Sequence, residues 1–241
     1  MDGLFSITAW EKVWTYRSTF FLGLYNTGRM ALFALALSLI LGIIFGLFAT
    51  SGKKVLEGIS RIYVELIQNT PLILQLCFLY YALAFSGRSL GIIVTGTLAL
   101  GVYHGAYMAE VVRAGIGAIP KGQFEAADSQ GFHYIEKMYY IILPQSIKII
   151  LPPMVNQVVN LIKNTSCLYI IGGADLISLT YSFVTGATTG GAYAPAYLVS
   201  GILFFAVCFP LSTLASVWEN SIKKRELKTV NERKTRSDGM V

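Results

Sequence analysis

From Met30 to Gly52 the chain runs for 23 residues without a charged side chain, and its centre reads ALFALALSLILGIIFGLF. About 20 mostly apolar residues suffice for a helix to cross the hydrocarbon core of a bilayer. The run is therefore read as a transmembrane helix that already begins in Phe20–Asn26. The composition agrees: of 241 residues, 54% are hydrophobic and 13% charged, where a soluble domain carries about 25% charged residues. Disorder is excluded, since disordered chains are poor in apolar residues. A soluble enzyme is excluded on the same ground. The length suits one domain or at most two. The net charge of +6 would suggest a nucleic-acid partner in a soluble protein. In a membrane protein it reflects basic cytoplasmic loops, so no nucleic acid is expected here.

Four further stretches can span a membrane. Ile62–Phe85 is apolar apart from Glu65, Gln68, Asn69 and Gln75, and Ser89–Ala109 is uncharged. A shorter run between Lys148 and Lys163 contains Pro152 and Pro153, which are expected to unwind its start and expose backbone carbonyls. Tyr193–Trp218 is the last, interrupted by Pro195 and Pro210. Fourteen of the nineteen Lys and Arg residues fall between spans one and two, between spans three and four, and after span five. By the positive-inside rule the N-terminus is outside and the C-terminus inside. The expected fold is all-α: a polytopic membrane protein of five transmembrane helices. Residues 1–19 form an extracytoplasmic segment, residues 20–219 a single transmembrane domain, and residues 220–241 a basic cytoplasmic tail. The first 19 residues carry Asp2, Glu11, Lys12 and Arg17 and no apolar core, unlike a cleaved signal peptide. Cys77, Cys167 and Cys208 are scattered and no CxxC occurs, so neither a disulfide framework nor a metal site is expected.

The segment between spans three and four is too long for a simple connector. Pro120 breaks the helix that continues from span three. A new helix can start near Gly122, Gly131 permits a left-handed exit, and a second helical run, His133–Ile142, leads into Leu143 and Pro144. The result is a helix–bend–helix elbow at 120–144 on the inner surface. Ala126 and Ala127 are small enough for close packing against another protein, with Phe124 and Phe132 as apolar anchors. On the outer side, 185–191 (TGATTGG) is a flexible stretch by composition, and a short helix can follow Gly172 and Gly173.

The elbow resembles the cytoplasmic signature of ATP-binding-cassette (ABC) importer permeases: Glu-Ala-Ala, three residues, Gly, nine residues, Ile, one residue, Leu-Pro. The matching residues are Glu125, Ala126, Ala127, Gly131, Ile141, Leu143 and Pro144. Three further stretches are similar to the subfamily that imports polar amino acids: Glu65–Leu83, Ala106–Ala127 and Asn160–Leu176. The resemblance implies that Glu125–Gly131 is the coupling helix, docking on the ATPase. It implies two ATPase subunits, a second permease copy or paralogue, an extracytoplasmic amino-acid-binding protein, and residence in the bacterial cytoplasmic membrane. No Walker A loop is present, so this chain is expected to bind no cofactor and to have no catalytic residue; ATP and Mg belong to the partner subunit.

Polar groups inside spans are costly and often functional. The candidates for a substrate path are Gln68, Asn69, Gln75, His104, Asn160, Lys163, Asn164, Thr165 and Ser166, with 160–166 first because Lys163 can take a carboxylate. Glu65, Glu110 and Arg113, near the inner face, are ranked lower, as structural pairs. Relatives often carry Asp where this chain has Asn164, which points to an acidic or neutral amino acid over a cationic one. The residues alone leave open an ABC permease for another small solute or, further off, an ion-coupled secondary transporter.

Overall fold

The computed structural model of the protein describes residues 6–88 and 90–238, with side chains up to residue 222. The order of elements is α1 (Ile7–Thr15), α2 (Arg17–Ala49), α3 (Lys54–Gln68), α4 (Leu72–Phe85), α5 (Ile92–Gly117), α6 (Lys121–Ser129), α7 (Tyr134–Lys137), a π-helical turn (Met138–Ile142), α8 (Leu143–Asn164), a 3-10 segment (Thr165–Ile171), α9 (Leu176–Thr185) and α10 (Tyr193–Asp238). No strand occurs among the described residues. Four helices are long and apolar enough to cross a membrane, and the bent pair α3–α4 makes five if counted as one span. The basic residues of the tail beyond Ile222 lie outside the described side chains.

The bundle is organised on the α2–α5 pair. Lipid tails are as apolar as Leu, so helices in a membrane associate through close packing rather than hydrophobic burial. Both helices carry small residues at every fourth position for this purpose. Ala34, Ser38, Gly42 and Gly46 on α2 are all buried, as are Gly101, Gly105 and Ala109 on α5. A Cβ placed on Gly42 would lie 2.5 Å from the Met108 Cβ, and one on Gly46 2.5 Å from the Val112 Cβ. From the other side, a Cβ on Gly101 would lie 2.6 Å from Leu37 Cδ2. The backbones thus mesh along most of their shared length.

Three buried clusters surround this pair. One joins Met30 and Ala34 of α2 to Leu76 of α4, Leu100 of α5 and Leu161 of α8. A second, at the far end, packs α1 and α9 (Ala9, Val13, Phe183, Val184) onto Phe20 and Ala196. The third joins Met108 to Ile119 of α5 and its extension with Met138, Ile142, Ile150 and Met154 of the elbow and α8.

Two expectations about the chain's course are corrected. Ile62–Phe85 is not one straight span: α3 and α4 meet at a 99° bend. Pro71 lacks the N–H that would bond the Ile67 carbonyl and disfavours helical geometry at Thr70. Conversely, Pro152 and Pro153 do not unwind span four; α8 runs unbroken from Leu143 to Asn164. Ile150 and Met154, flanking the prolines, are held in the third cluster, and Ile150 fills the space above Gly115. Packing on both sides of the lost hydrogen bonds keeps the helix continuous. The segment after Gly172 and Gly173 does form the short helix α9, capped by Asp175. Burial pushes the Asp175 carboxyl above the usual carboxylate range, against hydrogen bonds from Ser178 and the Ile177 N–H that pull it down. The 185–191 stretch forms hydrogen-bonded turns, with the Lys12 ammonium donating to the Gly190 carbonyl at 3.0 Å.

Meshed backbones leave no room for added side chains. Gly42→Leu is expected to destabilise by about 1–3 kcal/mol through overpacking. Gly28→Ala, where nothing lies within 4 Å, is expected to be neutral or slightly stabilising. Thermal unfolding of both variants in detergent checks this.

Candidate functional site

The elbow starts where Pro120 ends α5 and enters α6 as its N-cap. Its exit is a Schellman motif: the Gly131 N–H donates to the Asp128 carbonyl at 3.0 Å and the Phe132 N–H to the Ala127 carbonyl at 3.2 Å. That closure needs a left-handed residue, and Gly131 supplies φ +82°. The next helix opens on a capping box at His133, whose N–H donates to Glu136 at 2.9 Å. Lys137 then ties the two helices together, pairing with Asp128 and lying over the Phe124 ring.

The signature residues divide by face. Ala127 is 1% exposed and packed on the bundle, and half-buried Phe124 joins the same cluster. Glu125 and Ala126 point outward. Of the two small alanines expected to allow close packing against a partner, Ala126 is thus exposed and Ala127 buried within this chain. Ile141 and Leu143 also pack on that core, on either side of buried Ile142. Pro144 sits in the first turn of α8 immediately after the π-helical turn. A proline cannot donate to the carbonyl four residues back, and a π turn is a common local answer to such a break.

The candidate path residues separate into three groups. Gln75, Asn69 and Gln68 belong to the bent pair α3–α4. The Gln75 amide lies 2.9 Å from the Ile67 carbonyl and 3.2 Å from that of Thr70, the carbonyls released by the Pro71 break. Asn69 donates to the Glu65 carbonyl at 2.8 Å, and Gln68 to the Ala106 carbonyl of α5 at 3.3 Å. In a bilayer every backbone polar group must find a partner within the protein, and these amides supply it. Thr165 and Ser166 have a similar role, donating to Ile162 and Lys163 carbonyls where α8 tightens into the 3-10 segment.

His104, Asn160, Lys163 and Asn164 come together. With Tyr103, Tyr107 and Gln157 they line a cavity of about 270 Å³ between α5 and α8. His104 is 1% exposed. The Asn164 amide nitrogen lies 3.1 Å from its Nε2, which then accepts and places the ring proton on Nδ1. That Nδ1 is buried without a hydrogen-bond partner. The Tyr103 and Tyr107 hydroxyls are 3.1 Å apart. No lining residue is acidic. The two tyrosines were missing from the candidate set, although their spacing of four puts both on the helix face beside His104.

A helical bundle with four or five candidate membrane spans, bearing the seven-residue elbow, is the permease class of ABC importer. Residues 21–224 match the family described as binding-protein-dependent transport system inner membrane component, and the chain belongs to that family. It is 37% identical to the probable glutamine ABC transporter permease protein GlnM of Bacillus subtilis (strain 168), over 84% of this chain and 92% of that one. It is 31% identical to the arginine transport system permease protein ArtQ of the same organism, over 85% and 92% of the two chains. Among solved structures, an amino acid ABC transporter crystallised with histidines superposes with a TM-score of 0.78 at 30% identity, covering 86% of this chain and 95% of that one.

Two predictions follow from the geometry. In a variant lacking the three native cysteines, Ala126→Cys is expected to react with a polar maleimide in ATPase-free membranes and Ala127→Cys to be protected; gel-shift labelling reads the difference. Gln75→Leu removes the amide that meets the Ile67 and Thr70 carbonyls at the break and is expected to cost about 0.5–1.5 kcal/mol of stability, seen as a lowered Tm in detergent.

Proposed function

We propose that this chain is the permease subunit of an importer for a polar amino acid without net positive charge, with glutamine the first candidate and acidic amino acids next. The observation that carries this reading is the cavity between α5 and α8, which holds one cation, Lys163, and no carboxylate. An α-carboxylate finds Lys163; the Asn160 and Gln157 amides and the tyrosine hydroxyls suit an uncharged polar side chain. The unpaired His104 Nδ1 is a buried group that gains on meeting a polar ligand. A cationic side chain finds no partner there, because the position of Asn164 carries an amide hydrogen-bonded to His104. The relatives divide between glutamine and arginine by name, and a cavity with a cation and no carboxylate favours the first.

In this reading the chain spans a bacterial cytoplasmic membrane five times, α3–α4 being the broken second span. Residues 1–19 lie outside and the 220–241 tail inside. A second permease, identical or related, completes the path, and an extracytoplasmic binding protein delivers the substrate. Two ATPase subunits hold ATP and Mg and dock on the outward face of α6, where Glu125 and Ala126 stand clear of the bundle. ATP-driven closure of the ATPases moves the elbow, and the bundle passes between two arrangements.

Glu125→Lys and Gly131→Val are expected to leave the protein in the membrane but to lower uptake at least about tenfold, the equivalent of 1.4 kcal/mol of coupling. Normal uptake in both variants excludes the coupling role. Competition among arginine, glutamate, aspartate and glutamine for transport by the reconstituted complex tests the substrate. Glutamine is expected to compete best, and Asn164→Asp to shift the preference toward arginine on the order of tenfold, the worth of one charge-assisted hydrogen bond. Arginine alone competing with the unaltered protein refutes the reading.

A further inference from the structure

A second cavity lies apart from the one between α5 and α8. It has a volume of about 420 Å³ and lies between α3 and α5 at the elbow end of the bundle. Arg61 and Glu65 of α3 face it, paired at 2.7 Å, together with Glu110 and Arg113 of α5, paired at 2.9 Å. These side chains are 41–77% exposed, so they do not serve one another as a sealed core pair. Pairs three or four residues apart on one helix are worth only about 0.2–0.5 kcal/mol. Such charges on helices that cross a bilayer mark water-filled cavities and solute paths rather than structural gains.

The two cavities share one helix, α5, as a wall. Tyr103, Tyr107, Glu110 and Arg113 follow one another at spacings of four, three and three residues, which is a continuous stripe on α5. Its first two members line the cavity beside His104 and its last two line the elbow-end cavity. The neighbours on the buried faces, Ala106, Met108 and Val112, are closed against other helices. The elbow-end cavity also offers both halves of what an α-amino acid requires. A guanidinium fork takes the carboxylate, and a carboxylate takes the ammonium group. Each pair lies within one helix, where the partner is the counter-ion that the incoming zwitterion replaces, and Glu57 adds a further carboxylate to the lining.

We infer that the elbow-end cavity is a second amino-acid site, of low affinity and selective for the zwitterion, in which the solute rests before leaving and to which it returns when it accumulates on that side. The inference rests on the chain being an amino-acid importer. Unlike the first cavity, this one reads the α-amino and α-carboxylate groups and not the side chain. A site occupied from the elbow side slows the next transport cycle.

The test uses the complete transporter in proteoliposomes, with glutamine uptake started from the binding-protein side and glutamine preloaded on the ATPase side. Preloading on the order of 1–10 mM, the range of a weak site, is expected to reduce the initial rate at least about twofold. The decarboxylated analogue 4-aminobutanamide and N-acetylglutamine, each lacking one charge, are expected to have no effect at the same concentration. Arg113→Gln is expected to raise the inhibiting concentration about tenfold, 1.4 kcal/mol, as one charged contact is lost. Absence of glutamine uptake by the unaltered complex refutes the proposed function itself. Uptake that proceeds at the same rate with and without preloaded glutamine leaves that function intact and overturns the second site. Equal inhibition by the singly charged analogues overturns it too.

Discussion

The close approach of α2 and α5 is the constraint on which the remainder of the fold depends. Without a hydrophobic driving force between helices, contact distance sets the strength of association. The buried series Ala34, Ser38, Gly42, Gly46 on one helix and Gly101, Gly105, Ala109 on the other removes the side chains that would hold the backbones apart. With that pair fixed, one side of α5 receives α8 and the elbow, and another receives the broken span. The polar residues of α5 are then left on the surfaces that the meshed face does not use.

The broken span and the polar cavity show two different uses of amide side chains. At Pro71 the helix loses a hydrogen bond and turns through 99°. Gln75 and Asn69 meet the backbone carbonyls there, so the bend exists without an unpaired group facing lipid. Between α5 and α8 the situation differs. Gln157 and Asn160 line a space that the chain itself does not fill, while Asn164 meets His104, whose other ring nitrogen goes unmatched. Satisfied amides hold shape; unsatisfied ones mark a place for something else.

Much of this was readable from the residues. The apolar runs located the spans, and the Glu125 to Pro144 spacing located the elbow, because both depend on local periodicity. Gly131 was legible because the left-handed exit of a helix is a backbone requirement. The face that Ala127 presents was not: α6 is short, and which of two adjacent alanines turns inward depends on the path set by Pro120 and Lys137. The assignment of Gln75 to the break also escaped the sequence, since an amide beside a proline reads equally as a ligand group or a backbone partner. Pro152 and Pro153 illustrate the reverse, local chemistry overridden by the packing of Ile150 and Met154. Tyr103 and Tyr107 were overlooked because tyrosines in an apolar run resemble membrane-interface anchors.

The course of α5 has a mechanical corollary. The helix passes Tyr103 and His104, continues to Arg113 and ends at Gly117, and only the three residues 118–120 separate it from α6. Its residues that line the cavities therefore share one rigid helix, joined to the elbow by a single short connector fixed at Pro120. Three residues leave little slack, so a displacement at α6 pulls on the end of the lining helix itself. That helix is held in turn by its glycine-meshed contact with α2.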